Sequence, residues 1–137
     1  MSTVIQQQTA WSPQSWSAFW ANPNPEIAKQ RVPQIVTPDI VGVWPRASKH
    51  VVGSDAYTRR IVEVLRLLPD FHATLEETAS RGEFTFIRWS ATGRGPNGPF
   101  QAIGCDRVRL RDGKVCENLI MSDHEIFGML ARAIGDE

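Results

Sequence analysis

The chain is predicted to be an α+β protein in which helices cover the single apolar face of an antiparallel sheet. Three observations predict it. Helical periodicity is confined to the first half and the last dozen residues. Between them lie four segments in which apolar and polar residues alternate, the mark of strands with one buried face. Those strands follow one another through turns with no intervening helix, which describes a meander rather than a parallel sheet.

The elements follow in order. Residues 1–12 are polar, with Gln6-Gln7-Gln8, and are expected to be frayed, so that one domain spans residues 13–137. Pro13–Ala21 reads as a short helix with Trp16, Phe19 and Trp20 at helical spacing. Asn22-Pro23-Asn24-Pro25 stops it, and Glu26 to about Ile35 forms a second helix interrupted by Pro33. A strand near Asp39–Trp44 and a loop from Pro45 to Val52 come next. Gly53-Ser54-Asp55 opens the strongest helix. Ser54 is placed to cap it, and Asp55 suits its positive end. Tyr57, Ile61, Val64, Leu65 and Leu68 make its apolar stripe, and Pro69 ends it. The strands are Phe71–Thr78, Phe84–Thr92, Phe100–Leu110 and Val115–Met121. They are joined by an Arg81-Gly82 turn, a glycine-rich loop at Gly93–Gly98 and an Asp112-Gly113 turn. A last helix begins at a capping box, Ser122-x-x-Glu125. It buries Ile126, Phe127, Leu130 and Ile134 and closes at Gly135.

Composition bounds the partners. The 137 residues suffice for one domain with a real core. Fifteen acidic and fifteen basic side chains cancel, so neither nucleic acid nor a membrane surface is an expected partner. No apolar run approaches the roughly 20 residues that span a bilayer, and no charged-then-apolar leader opens the chain, so the expected compartment is cytoplasmic. A two-residue turn at Asp112-Gly113 would set Cys116 opposite Arg109 and Cys105 opposite Ile120. The two cysteines are then not neighbours, and no disulfide is expected. His50, His72 and His124 lie far apart and no Cys-x-x-Cys occurs, so structural zinc is not expected.

The strand from Ala102 to Arg111 carries the chemistry. Alternation puts Arg107, Arg109 and Arg111 on one face, with Lys114 beyond the turn. Asp106, Val108, Leu110 and Val115 take the other. The basic face meets water, leaving Asp106 on the face meant for the core. A carboxylate there must be paired, protonated or open to a cavity.

Several motifs, in this order, resemble the nuclear transport factor 2-like superfamily, and within it the SnoaL-like polyketide cyclase and ketosteroid isomerase branch. They are the aromatic first helix, Gly53-Ser54-Asp55-Ala56-Tyr57, Leu68-Pro69-Asp70-Phe71, Arg88-Trp89-x-Ala91-x-Gly93, Gly104-x-Asp106-Arg107, Asp112-Gly113-Lys114-Val115-x-Glu117 and Asp123. The resemblance spans about residues 13–135. It implies a curved antiparallel sheet wrapped around helices to form a conical cavity, the cystatin-like α+β barrel, and a homodimer packed through the outer sheet face. The implied ligand is a hydrophobic small molecule, with Trp16, Phe19, Trp20, Trp44, Phe86 and Trp89 as candidate walls, and the resemblance implies no metal or organic cofactor.

The resemblance also implies roles. Asp106 matches an acidic position that works as a proton donor or acid/base in isomerases and cyclases of this type, and an apolar pocket suits it by raising its pKa. Tyr57, the single tyrosine, is the candidate second donor. Trp44 stands near the position of the isomerase base, and Asp39 lies close to it in sequence but at another depth. Where SnoaL-type cyclases carry Gly-x-His-x-Gly, this chain has Gly93-Arg94-Gly95. Limonene epoxide hydrolase, a further relative, uses Arg-x-Asp and a second aspartate. Here the segments read Arg88-Trp89-Ser90 and Leu119-Ile120-Met121, so that triad is incomplete. Arg88 is expected as a cavity charge paired with Asp106 or Glu117. By strand arithmetic Glu117 shares the face of Asp106, and equally a bulge would turn Glu117 outward and bring Asn118 in. Gly93-Arg94-Gly95-Pro96-Asn97-Gly98 matches Gly-x-Gly-x-x-Gly, but a strand follows it rather than a helix, so it is a flexible hairpin loop at the cavity rim. His72 and His124 are expected at the surface.

Two functions follow. One is acid/base isomerisation, cyclisation or dehydration of a hydrophobic carbonyl compound, with Asp106 central and Arg88, Tyr57, Glu117 and Asn118 assisting. The other is a non-catalytic ligand-binding or dimerisation module of the same fold.

Overall fold

The structure, a computed structural model, describes residues 10–135. The first helix, α1 (Pro13–Ala21), is capped by Ser12, whose hydroxyl accepts from Ser15 N. Asn24 caps α2 (Pro25–Ile35) by accepting from Glu26 N at 2.8 Å. Pro33 does not interrupt α2. It lies in the last turn, where the single bond it forgoes is cheap. Strand β1 (Val36–Val43) starts three residues earlier than the composition suggested, and the following loop contains a short strand β2 (Val51–Val52). Helix α3 (Ser54–Leu67) is entered through Gly53 at φ 98°, so Ser54 is its first residue and not its cap. The strands β3 (His72–Arg81), β4 (Phe84–Gly95), β5 (Gly98–Arg111) and β6 (Lys114–Met121) precede α4 (Ile126–Ile134).

Three expectations fail locally. Trp11 is buried, and its backbone N–H donates to Gly113 O at 2.8 Å, so the ordered chain begins before residue 13. Residues 1–9 lie outside the described residues. The glycine-rich segment is not a loop, because β4 and β5 run on until Gly95 faces Gly98, leaving only Pro96-Asn97 as the turn. The capping box at α4 does not form. Ser122 Oγ instead donates to Ile103 O, and His124 Nδ1 accepts from Ile126 N at 3.0 Å. Gly135 ends the helix in the left-handed conformation as expected.

The sheet has six strands in the order β2-β1-β6-β5-β4-β3, antiparallel throughout except for the parallel pair β1 and β6. It is curved and does not close. Register shifts interrupt β1 between Val36 and Val41, β3 between Leu75 and Glu77, and β6 opposite Arg109 and Leu110. Each inserts residues on one strand only, which bends the sheet. The inner face carries Ala73, Thr85, Ile87, Trp89, Ala91, Ala102, Asp106, Val108, Val115, Asn118 and Ile120, all buried. The helices bury Trp16, Val32, Tyr57, Ile61, Leu65, Phe127 and Leu130 against this core. Among the described residues, no helix is long and apolar enough to cross a membrane.

Candidate active site

The inner face of β5 would be wholly apolar but for Asp106, which is 8% exposed. Val108, on the same face, is buried, whereas Arg107 and Arg109 point out over the Phe84 ring. The alternation read from the sequence therefore holds. What satisfies the buried carboxylate comes from three other elements. Trp89 on β4 donates its indole Nε1–H to Oδ1 at 2.8 Å. Asn118 on β6 donates its amide N–H to Oδ2 at 3.0 Å. Tyr57 on α3 donates its hydroxyl to Asn118 Oδ1 at 2.7 Å, which orients the amide. Asn118 and Tyr57 are almost completely buried, at 2% and 1% exposure.

Both groups that hold Asp106 are neutral, and this sets its proton affinity. Burial pushes the carboxyl up to about 6, and the bonds from Asn118 and Trp89 pull it down only in part. Burial, reinforced by the nearby Asp106 charge, drives the Tyr57 hydroxyl well above its usual range, so it remains a donor. Each oxygen of Asp106 accepts one bond, and a carboxylate has about four acceptor positions, so lone pairs remain free for a proton. Trp89 Nε1–H cannot accept, and the one acceptor of Asn118 is already held by Tyr57. A proton on Asp106 is thus directed away from its protein partners.

Beside this network lies a cavity of about 60 Å³, lined by Trp16, Trp20, Trp44, Tyr57, Ile61, Phe71, Ala73, Leu75, Ile87, Trp89, Asp106, Asn118, Ile120 and Phe127. Trp16 and Trp20 meet edge to face at 5.6 Å and roof it from α1, and Trp20 also contacts the Phe71 ring. The walls are apolar except at the Asp106 end, as in small-molecule sites generally.

Of the residues singled out from the sequence, Trp16, Trp20, Trp44, Tyr57, Trp89, Asp106 and Asn118 meet at this cavity. Four do not. Phe19 is buried behind the tryptophans, 5.0 Å from Trp20, and does not line the cavity. Phe86 is 43% exposed on the outer face, because Thr85, Ile87 and Trp89 take the inner one. Arg88 shares that outer face and pairs with Glu77, not Asp106, at 2.8 Å. Glu117 is also outside and ion-pairs with Arg107. The cause is a bulge at Cys116. Leu110 faces Val115, yet Arg109 faces Glu117, so Cys116 has no partner of its own and every later residue changes side. The bulge reading, with Asn118 inward, is the one observed. The register also shifts Cys105 opposite Met121, and both cysteines are free thiols. Asp39 is on the outer face, ion-paired with Arg111. Arg94 is exposed beside Asp70, and His72 is exposed, while His124 is partly covered and meets the Phe100 ring at a tilt.

Two glycines make room for the donors. A Cβ on Gly104 would stand 2.3 Å from Trp89 Cζ2 and 2.6 Å from Met121 O, because the indole crosses β5 at that point to reach Asp106. A Cβ on Gly42 would stand 2.8 Å from Tyr57 Cδ1, where the phenol crosses β1 toward Asn118. The signal was available for Gly104. A two-residue turn at Pro96-Asn97 sets Trp89 opposite Gly104, two residues from Asp106 on the same face.

Residues 14–118 match the model of the SnoaL-like domain family. No curated protein matches the chain in sequence. Among solved structures it is similar to a hypothetical protein of ketosteroid isomerase-like fold from Catenulispora acidiphila, solved with trimethylamine. The TM-score is 0.69 at 16% identity, over 81% of this chain and 86% of that one. An NTF2-like protein of unknown function from Exiguobacterium gives 0.67 at 20%, over 80% and 96%. A provisionally named SnoaL-like polyketide cyclase from Jannaschia gives 0.65 at 15%, over 95% and 88%. At these identities the likeness is one of fold.

Proposed function

The chain belongs to the SnoaL-like domain family, and from that premise we propose that it is a cofactor-independent acid/base enzyme acting on a hydrophobic carbonyl compound, with isomerisation as the reaction the site suits best. One observation carries this reading. Asp106 sits buried at the end of an apolar cavity, held only by neutral donors, with its carboxyl pushed up to about 6. Such a group exchanges a proton near neutral pH, as general acid–base catalysis requires. The carboxylate takes a proton from the carbon beside the carbonyl. The C–H electron pair forms a new C=C bond, and negative charge moves to the carbonyl oxygen. Asp106, now protonated, returns the proton to the remote carbon as the charge collapses. Asn118 and Trp89 hold the carboxylate through both steps, so it does not reorganise.

Cyclopent-3-enone tests this, because moving its double bond into conjugation creates an ultraviolet chromophore. The wild type is expected to accelerate that shift, and Asp106→Asn to lower the rate about 10²- to 10⁴-fold. Equal rates for the two proteins would remove Asp106 from the chemistry.

We propose further that a second copy of the chain packs on the outer sheet face, where Ile103 and Met121 stand exposed at 65% and 42% and Phe86, further along the sheet, at 43%. Light scattering of the wild type is expected to give twice the chain mass, and Ile103→Arg to halve it. A monomeric wild type would rule this out.

A further inference from the structure

Trp44 Nε1–H is buried and has no hydrogen-bond partner. The atom lies 3.5 Å from where a Gly42 Cβ would stand, beside the Tyr57 ring, on a residue that lines the Asp106 cavity. A buried indole N–H almost always finds an acceptor, and leaving it without one is costly. The acceptors of the Asp106 network bond to other groups, and neither bonds to this indole. Asn118 Oδ1 is held by Tyr57, and Asp106 is held by Trp89 and Asn118.

We infer that Trp44 is the anchor for the ligand's oxygen, and that the ligand is a compact neutral carbonyl compound of about one ring. This deepens the reading of the same site and rests on it. A carbonyl oxygen on Trp44 Nε1–H satisfies the unpartnered donor and leaves the ring among Trp16, Trp20, Ile61 and Phe127. The same bond strengthens as negative charge gathers on that oxygen, so it favours the enolate over the ketone. Size follows from the cavity. Its roughly 60 Å³ is far below the 300 Å³ at which drug-sized clefts begin, so a polycyclic compound does not fit inside the walls as they stand. Charge follows from the donors, since among the described residues no cation lines the cavity to hold a ligand carboxylate.

The probes are cyclopentanone and cyclopentane, alike in shape but differing in the oxygen. In the wild type, cyclopentanone is expected to move the Trp44 indole Nε1–H proton resonance downfield in a titration, and cyclopentane is not. Trp44→Phe is expected to bind cyclopentanone about tenfold more weakly and cyclopentane as before, the value of one hydrogen bond. A Trp44 resonance that ignores cyclopentanone, no binding of cyclopentanone at all, or equal weakening of both probes in the variant would each overturn the anchor. The two readings fail separately. A Trp44 shift without isomerisation of cyclopent-3-enone defeats the proposed chemistry and leaves a ligand-binding site. Isomerisation without the shift defeats the anchor alone.

Discussion

Strand β5 shows two faces that treat charge in opposite ways. On its outer face Arg107, Arg109 and Arg111 pair with Glu117, Glu83 and Asp39. The latter two pairs are half exposed, where solvent screens most of the attraction. On its inner face a single carboxylate is buried with only neutral partners, and its proton affinity shifts toward neutral pH. The lesson is that charge number says little about chemistry in this chain. Six outer charges neutralise one another in pairs, and one inner carboxyl is left with neutral partners and a proton affinity near neutral pH.

The sharpest way to break the comparison is Asp106→Asn. Beyond the loss of isomerisation stated above, it is expected to change the pH dependence of folding. The folded pKa of Asp106 lies above its unfolded value of 3.8, so the native state holds the extra proton between pH 3.8 and about 6. Its contribution to stability is intact below pH 3.8 and falls as pH rises through that window, by on the order of 3 kcal/mol. Denaturant titrations from pH 4 to 7 should show this slope in the wild type and not in the variant. The same slope in both would mean that another group supplies it.

Gly104→Ala comes next. The methyl group would drive Trp89 off Asp106, and overpacking of this kind costs about 1–3 kcal/mol in urea unfolding. An unchanged midpoint would show that the indole has room to move. The smallest effect belongs to the outer face. Arg88→Gln is expected to leave both the urea midpoint and the rate with cyclopent-3-enone unchanged, because Arg88 reaches Glu77 in solvent and not the cavity. A rate loss would place charge at the site from outside the sheet.

Much of this was legible in the residues. Alternating arginines gave away the side on which Asp106 lies, and helical spacing gave α1, α3 and α4 their buried faces. What stayed hidden depended on single-residue events. The bulge at Cys116 leaves no trace in alternation, because Leu119, Ile120 and Met121 are apolar in succession and suit either parity until the register is known. The pairing of Trp89 with Gly104 was hidden because six residues rich in glycine read as a loop, though only Pro96-Asn97 turns. Arg88 and Phe86 were misplaced because a likeness of motif was weighed above the parity of β4. That parity follows from the inward run of Thr85, Ile87, Trp89 and Ala91. The unpartnered state of Trp44 is a property of three-dimensional surroundings that no spacing rule encodes.

The unpaired residue at Cys116 also acts as a reading frame for the site. With it, the strand presents the amide of Asn118 to Asp106 and discards the carboxylate of Glu117 to the outer face. Remove one residue there and the parity of β6 inverts, so that Glu117 turns inward and the lone acid gains an acidic neighbour. A chain of this architecture can therefore move between a one-acid and a two-acid site by an insertion or deletion, with no side chain in the cavity having to mutate.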